Sequence, residues 1–376
     1  MRLLVLPLLL GPVACQQAGV TPPESQAQIA RDAGDVTDPT EIVALVADEA
    51  AAERLSNGAV ERGYVYLRGS RLGGLGLNQI VFRIPDGTDG PGAIRELEAM
   101  EPGSTVGVNH AYRLQAEGRV YAPGMLAWPE TGCVADVPVG MIDGVVDRDA
   151  AALGGARIVQ RDFTGGSPAA VEHGTAVAEI LAGPGRLTGA EVFSAVVVSD
   201  GPGGDEAAGV DTLMRAFDWL SQSGVRLVNV SLAGPYNKIL DRGLQAADAR
   251  GMVVIAAAGN SGSESPPRYP AAFSQTIAVT AVDAAMAPYA KAPTGGHIDF
   301  AAPGVDIFLQ LDGGGRYLSG TSLAAPFVTA LVAGEGVGGS AQDIRARLAR
   351  GAVDLGESGR DEVFGLGLPQ AVGACG

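Results

Sequence analysis

Cysteine, cationic side chains and aromatic rings are all scarce in this chain, and each shortage removes a class of function. The three cysteines, Cys15, Cys133 and Cys375, are spaced too widely to form a zinc or haem pattern. Lysine and arginine number 26 against 42 aspartate and glutamate, a formal charge of −16 that opposes general affinity for nucleic acid or anionic lipid. Aromatic residues make up 5% of the chain while glycine reaches 55. An interior so poor in rings has to be built from Ala, Val, Leu and Ile with close backbone approaches, which suits an α/β core with tight turns. Internal repeats and long charge runs are missing too, and the leading apolar stretch is too short to span a bilayer. What is present, 376 residues at 47% hydrophobic content, suffices for a sizeable core and two or three domains.

Residues 1–15, MRLLVLPLLLGPVAC, carry one positive charge at Arg2, then an apolar run, then small residues, and read as an export signal. The ending Val13-Ala14-Cys15 resembles the lipobox of bacterial lipoproteins, which makes Cys15 a lipidation candidate, although Pro12 stands where leucine is usual. Ordinary signal cleavage is the alternative. Either route predicts a periplasmic or extracellular protein whose only membrane contact is such an anchor. In that oxidising compartment Cys133 and Cys375 form a candidate disulfide; two unrelated buried thiols are the bland reading.

Residues 16–40, rich in Gln, Pro, Asp, Thr and Ala, read as a flexible spacer. A small α+β unit is expected over 41–114. Its first run, EIVALVADEAAAERL, has apolar residues at helical spacing and predicts a helix that stops at Asn57-Gly58. Strands are expected at 64–67, 78–84 and 105–114, with a helix over 92–100 after Pro91. The Pro- and Gly-bearing stretch 115–132 reads as a linker. The domain over 133–376 then alternates apolar strands (137–142, 191–198, 226–232, 251–258, 275–282) with helices (174–182, 210–223, 237–250 and one opening at Ser322). Strands that are apolar almost throughout, joined by helices, imply an α/β fold: a doubly wound parallel sheet covered on both faces. In such sheets ligands bind outside the carboxyl ends of the strands.

Four polar residues fall at such places. Ser322, in SGTSLAAPF, opens an apolar helix; Asp143, in VGMIDGVVD, ends the first strand; His173, in EHGTAVAEIL, stands at a helix mouth; Asn260, in VIAAAGNSG, follows a buried strand into a Gly-rich turn. Each has a structural reading as a cap, a turn residue or a hydrogen-bonded imidazole. Together they supply an acid, a base, a nucleophile and an amide donor. A serine hydroxyl is inert at neutral pH unless a base takes its proton and fixed donors hold the oxyanion it creates.

The segments GMIDGVVD, HGTAVAEIL, VNVSLAGP, AAAGNSG and SGTSLAAP, in that order, resemble the motifs of the subtilisin-like serine proteases over roughly residues 137–370. Their Asp, His, Ser order is subtilisin's own. The resemblance implies that Asp143 orients His173, that His173 takes the proton of Ser322, and that Asn260 and the backbone N–H of Ser322 bind the oxyanion. It further implies that Ser231, Leu232, Ala233 and Gly234 give a backbone edge for an extended protein or peptide substrate. With Ala256, Ala257, Ala258 and Gly259 that edge would wall the main specificity pocket, closed by RYPAAF (268–273), with a cis bond considered for Tyr269-Pro270. These segments carry no charge that clearly demands a basic substrate residue, and an apolar or small residue before the scissile bond is the expectation. Ala176 replaces a second histidine common in the family. Carboxylate-rich calcium loops are not recognisable, so no cofactor is expected and calcium is left open. The unit before residue 115 resembles the inhibitory prodomain of the same family, with self-cleavage expected in 115–132; a spacer or adhesion module is the alternative.

The preferred reading is thus an exported serine endopeptidase. A catalytically silent, protease-like binding module is the rival, weakened because every triad residue type is kept. A dinucleotide-dependent oxidoreductase would need G-x-G-x-x-G after the first strand, and IDGVVDRD lacks it.

Overall fold

The computed structural model of the chain describes residues 38, 40–112, 121–135, 137–154, 156–201, 206–311 and 314–371. The export signal with Cys15, nearly all of the 16–40 spacer, Leu114 and Cys375 lie outside these residues.

EIVALV forms a strand, Glu41–Val46, and not the first turns of a helix. Ile42 to Val46 are all buried because both faces of the strand are covered. Ile42, Ala44 and Val46 face the unit's own helices, whereas Val43 and Leu45 join the core shared with the larger domain. A strand buried on both sides shows no polar alternation, so its apolar run merges with that of the next element. The helix proper is Glu49–Glu61, capped by Asp48, whose carboxylate accepts from Ala51 N at 2.8 Å. It runs through Asn57-Gly58, where packing overrides the local stop signal, and the chain turns at Gly63, whose φ is +90°. The antiparallel sheet has the order Val65–Leu72, Leu77–Arg83, Glu41–Val46, Thr105–Val108. The helix Gly90–Met100, capped by Asp89, packs with the first helix on one face of it.

The expected single strand over 105–114 divides in two. Thr105–Val108 stays in this sheet, while Ala111–Tyr112 pairs antiparallel with Glu206–Gly209 of the larger domain. The change of partner occurs at Asn109 and His110, where Asn237 Nδ2 donates to Val108 O at 2.8 Å and Asn109 Nδ2 donates to Asp211 Oδ1 at 3.0 Å.

The larger domain is a seven-stranded parallel sheet in the order Phe300–Pro303, Thr276–Val282, Val253–Ala257, Leu227–Val230, Val139–Asp143, Glu191–Val196, Arg157–Asp162. The helices Val171–Ala182 and Thr321–Glu335 cover one face and Val210–Gln222 and Lys238–Asp248 the other. Alternate strand residues, such as Val253 and Ile255 against Val254 and Ala256, feed the two cores. The two edge strands escape a reading by hydropathy. Arg157–Asp162 is largely exposed and charged, and Phe300–Pro303 ends in a proline that signals a turn. Residues 121–132, expected as extended linker, are folded into the domain. Ala122, Leu126 and Trp128 are buried, Trp128 Nε1 donates to Gly185 O at 2.9 Å, and Tyr121 Oη shares its one proton between Val282 O and Val305 O.

Charged groups seal the junction between the two units. Arg68 bonds both carboxylate oxygens of Glu41 and also Asp211, whose side chain is 3% exposed and is further held by Arg215 and Asn109. Lys238 pairs with Glu98 across the junction, and burial pushes its ammonium below the usual lysine range. Arg68→Ala should lower the stability of the full chain by about 1–2 kcal/mol, because Asp211 keeps two partners and Arg68 itself is partly screened by solvent. Urea midpoints for the two proteins measure this; equal midpoints would show that the cluster does not hold the units together.

Candidate active site

Three segments meet at the carboxyl edge of the sheet. Asp143 is the last residue of its strand and fully buried; its Oδ1 lies 2.8 Å from His173 Nδ1 and also accepts from Gly144 N at 2.6 Å. With the carboxylate accepting, Nδ1 is the donor, and in the neutral imidazole Nε2 is then the acceptor. That atom is 3.1 Å from Ser322 Oγ, the hydroxyl of a buried residue in the first turn of the Thr321–Glu335 helix.

Two glycines permit this approach. A Cβ on Gly144 would stand 2.5 Å from Ala170 O, and one on Gly174 would collide with the backbone of Gly144 and Val145. Backbone therefore touches backbone between the turn after Asp143 and the helix that carries His173. Ala170, the residue before that helix, takes a left-handed φ of 58° and turns the chain into it.

Asn260 is oriented by Thr321. The hydroxyl of Thr321 accepts from Gly259 N at 2.9 Å and lies 3.0 Å from Asn260 Oδ1, which also accepts from Thr321 N at 3.3 Å. With its oxygen so engaged, the Asn260 amide presents Nδ2 as its donor. Thr321 was not singled out from the sequence; its signal was its place in SGTS, beside the serine.

A second buried network reaches the same helix. Thr329 Oγ1 shares its proton between Asn229 Oδ1 and Ala325 O, Asn229 Nδ2 donates to Ser231 Oγ at 2.9 Å, and Ser231 Oγ donates to Ser322 O at 2.7 Å.

A family model described as the subtilase family matches residues 162–367, a span that takes in His173, Asn260 and Ser322 and begins after Asp143. Subtilisin DY of Bacillus licheniformis is 32% identical over 60% of this chain and 86% of its own length. The chain belongs to the subtilase family. The minor extracellular protease Epr of Bacillus subtilis is 31% identical over 53% of this chain, but the match spans only 32% of that longer protein. Fervidolysin from Fervidobacterium pennivorans, described as a keratinolytic enzyme related to subtilisin, shares the fold with a TM-score of 0.70 at 20% identity. Its likeness covers 89% of this chain and 60% of fervidolysin, more of this chain than residues 121–371 supply, so it takes in the small N-terminal unit.

In this subtilase the segments assigned to the pocket lie together. Leu232, Ala233, Ala257 and Ala258 are buried, and Ser231 is spent on the network above. Gly234 exchanges two 2.8 Å backbone bonds with Tyr269, so this part of the expected substrate edge is occupied by the chain itself and joins the wall to RYPAAF. The Tyr269-Pro270 bond is cis. The stem of Arg268 lies against Gly259, where an added Cβ would stand 3.1 Å from Arg268 Cγ. Among the described residues no group of three or more His, Cys, Asp or Glu is placed to hold a metal, and no helix is long and apolar enough to cross a membrane.

Gly174→Ala should force the helix away from residues 144–145 and stretch the bond between Asp143 and His173. We expect a stability loss of about 1–3 kcal/mol and a fall in peptide hydrolysis of roughly 10²-fold. Gly166→Ala, at a site where a Cβ meets only open space, serves as the control. If both variants hydrolyse a peptide substrate at the wild-type rate, the close backbone contact does not set the geometry of the site.

Proposed function

We propose that this subtilase is an exported serine endopeptidase acting through Asp143, His173 and Ser322. The observation that carries the reading is the continuous chain of 2.8 Å and 3.1 Å contacts from a buried carboxylate through an imidazole to a hydroxyl in the first turn of a helix. His173 Nε2 takes the proton of Ser322 Oγ as the oxygen attacks the substrate carbonyl, and Asp143 stabilises the imidazolium that forms. Asn260 Nδ2 and the Ser322 N–H bind the oxyanion, the latter at the positive end of the helix dipole. His173 then gives the proton to the leaving amine, and a water activated in the same way hydrolyses the acyl-enzyme. A protein or peptide is the substrate that an extended backbone edge accepts.

The N-terminal unit is proposed to be an inhibitory prodomain. Its last described strand, Ala111–Tyr112, already adds to the larger domain as an extra antiparallel strand, the manner in which an extended peptide would add. Since residues 121–132 are packed, the intramolecular cut belongs in 113–120, between the added strand and the anchored Tyr121.

Ser322→Ala should abolish both labelling by a fluorophosphonate and peptide hydrolysis, and should leave the full chain uncut, whereas wild type accumulates a fragment whose N-terminus falls in 113–120. Asn260→Ala should retain labelling and lose turnover by roughly 10²–10³, the range known for an oxyanion-hole asparagine of a subtilisin. Hydrolysis by the Ser322→Ala protein would sink the assignment of the nucleophile, and equal losses in both variants would sink the role of Asn260.

We propose further that Cys133 pairs with Cys375 after export. Cys133 is buried in the core that also holds Leu126 and Ala371, and Ala371 N donates to Leu126 O at 2.8 Å, four residues before Cys375. Closing so long a loop contributes up to ~5 kcal/mol in the chain-entropy model. Alkylation without reductant followed by peptide mapping should leave both thiols unmodified; modification of both would exclude the bond.

A further inference from the structure

We infer that Glu206 is a positioning residue for the proposed base: its carboxylate supplies, from a separate strand, the cap that the helix carrying His173 lacks. The inference rests on the peptidase reading above and adds to it a residue that acts through the backbone at the helix mouth.

The helix Val171–Ala182 begins without a capping side chain of its own. Its N-cap is Ala170, whose methyl group makes no capping bond. A helix start can also be closed by an acid at its third position, which reaches back to the N–H of the N-cap residue. Here the third position is His173, and its ring is engaged with Asp143 and Ser322. The N–H of Ala170 therefore takes its acceptor from elsewhere. It donates to Glu206 Oε1 at 3.1 Å, 36 positions further along the chain. A carboxylate suits this place twice over, since a charged acceptor strengthens the hydrogen bond and a negative charge is favoured at the positive end of a helix dipole.

The conformation that Glu206 holds is a costly one. Ala170 has φ 58° and ψ 44°, a left-handed geometry disfavoured for any residue with a Cβ. Without its tie the residue gains by relaxing, and the helix mouth, where His173 stands, shifts with it. Ala170 O accepts from Gly174 N at 3.0 Å, Ala169 O accepts from Val145 N at 3.1 Å, and Ala169 N donates to Val198 O at 3.0 Å. Val197 N in turn donates to Asp143 O at 2.9 Å. This corner thus joins the helix to both neighbours of Asp143 through backbone, and Glu206 adds the side-chain tie.

The strand Glu206–Gly209 is also the one that receives the small unit, with Ala208 opposite Tyr112 and Gly209 opposite Ala111. One side chain therefore fixes the base relative to an edge on which an extended chain already lies. On the strand's other side Glu206 stands opposite Asp200. Two acids directly opposite each other weaken a strand pair, so the stability of that pair does not account for an acid here. The bond to Ala170 does.

The test measures kcat and KM on one peptide for enzyme prepared from the full chain, with active sites counted by fluorophosphonate labelling. Glu206→Ala should lower kcat roughly tenfold and leave KM within about twofold, because the base is misplaced and the substrate loses no contact. Glu206 is exposed, so this change leaves no cavity. Glu206→Gln keeps an oxygen that can accept from Ala170 N and should recover kcat to within about threefold of wild type. Asp200→Asn, which removes the opposing acid and spares the tie, should keep the wild-type kcat. A role in stability alone would lower the urea midpoint of Glu206→Ala and leave its kcat unchanged at a temperature where the protein is folded. That result overturns the inference, as does a rise in KM without a fall in kcat, or a Gln variant as slow as the Ala variant. All three leave the peptidase reading intact, whereas a wild type that neither labels nor hydrolyses the peptide overturns both.

Discussion

The site depends on a place where two backbones touch. The helix that begins at Val171 lies directly on the turn after Asp143, with Gly144 and Gly174 keeping the contact clear of side chains. Only that closeness brings the imidazole of His173 within 2.8 Å of a carboxylate that never leaves its strand. The strand is central in the sheet, so Asp143 is fully buried, and burying an ionised group without a partner would cost several kcal/mol. His173 and Gly144 N are the partners that offset this cost, and both act on the same oxygen. The arrangement that makes Asp143 tolerable in the core is therefore the one that fixes the tautomer of His173.

Ser322 is held from the opposite direction. Thr329, Asn229 and Ser231 are fully buried, and their hydrogen bonds end on the carbonyl of Ser322. Each of these groups would be costly if left unpaired, so the network exists in one arrangement or is lost as a whole. It links a strand end to two turns of the Thr321–Glu335 helix. Thr321 ties the mouth of that helix to the next strand's turn through Gly259 and Asn260. The proposed nucleophile and the proposed oxyanion donor are thus positioned by neighbouring strands of one rigid sheet, through side chains that need not touch a substrate.

The residues proposed to perform the chemistry were singled out in the sequence by five motifs standing in one order, with His173 one of only three histidines in the chain. The supporting residues were not. Thr321 and Thr329 look like ordinary helix threonines, and their partners stand roughly 60 and 100 positions away. Arg268 was in view within RYPAAF, yet nothing in a linear segment tells whether an arginine stem turns toward a wall or toward water. The five inner strands could be read from their apolar runs, whereas strand 157–162 is largely exposed and charged, and the buried strand 300–303 is only four residues long and ends in a proline that signals a turn. Strand 41–46 failed for the opposite reason: covered on both faces, it loses the alternation that separates a strand from a helix.

That doubly covered strand also bears on how the two units part. On the side facing the larger domain, the small sheet contributes Val43, Leu45, Leu72, Leu77 and Val81 to the core that holds Leu213, Met214, Ile239 and Leu240. Breaking one peptide bond in 113–120 removes a tether but none of this contact, nor the Arg68 and Lys238 pairs at its rim. Dissociation would expose apolar surface on both partners at roughly 25 cal/mol for each Å² uncovered. In the proposed reading, the cut and the release are consequently separate events. The first needs only the alignment of one segment with Ser322, while the second needs the small sheet to unfold or be digested. Its own helices, Glu49–Glu61 and Gly90–Met100, cover only the other face, so this unit depends on the larger domain for half of its burial. Once detached it would be the less stable partner and the easier one to degrade, which gives activation a direction.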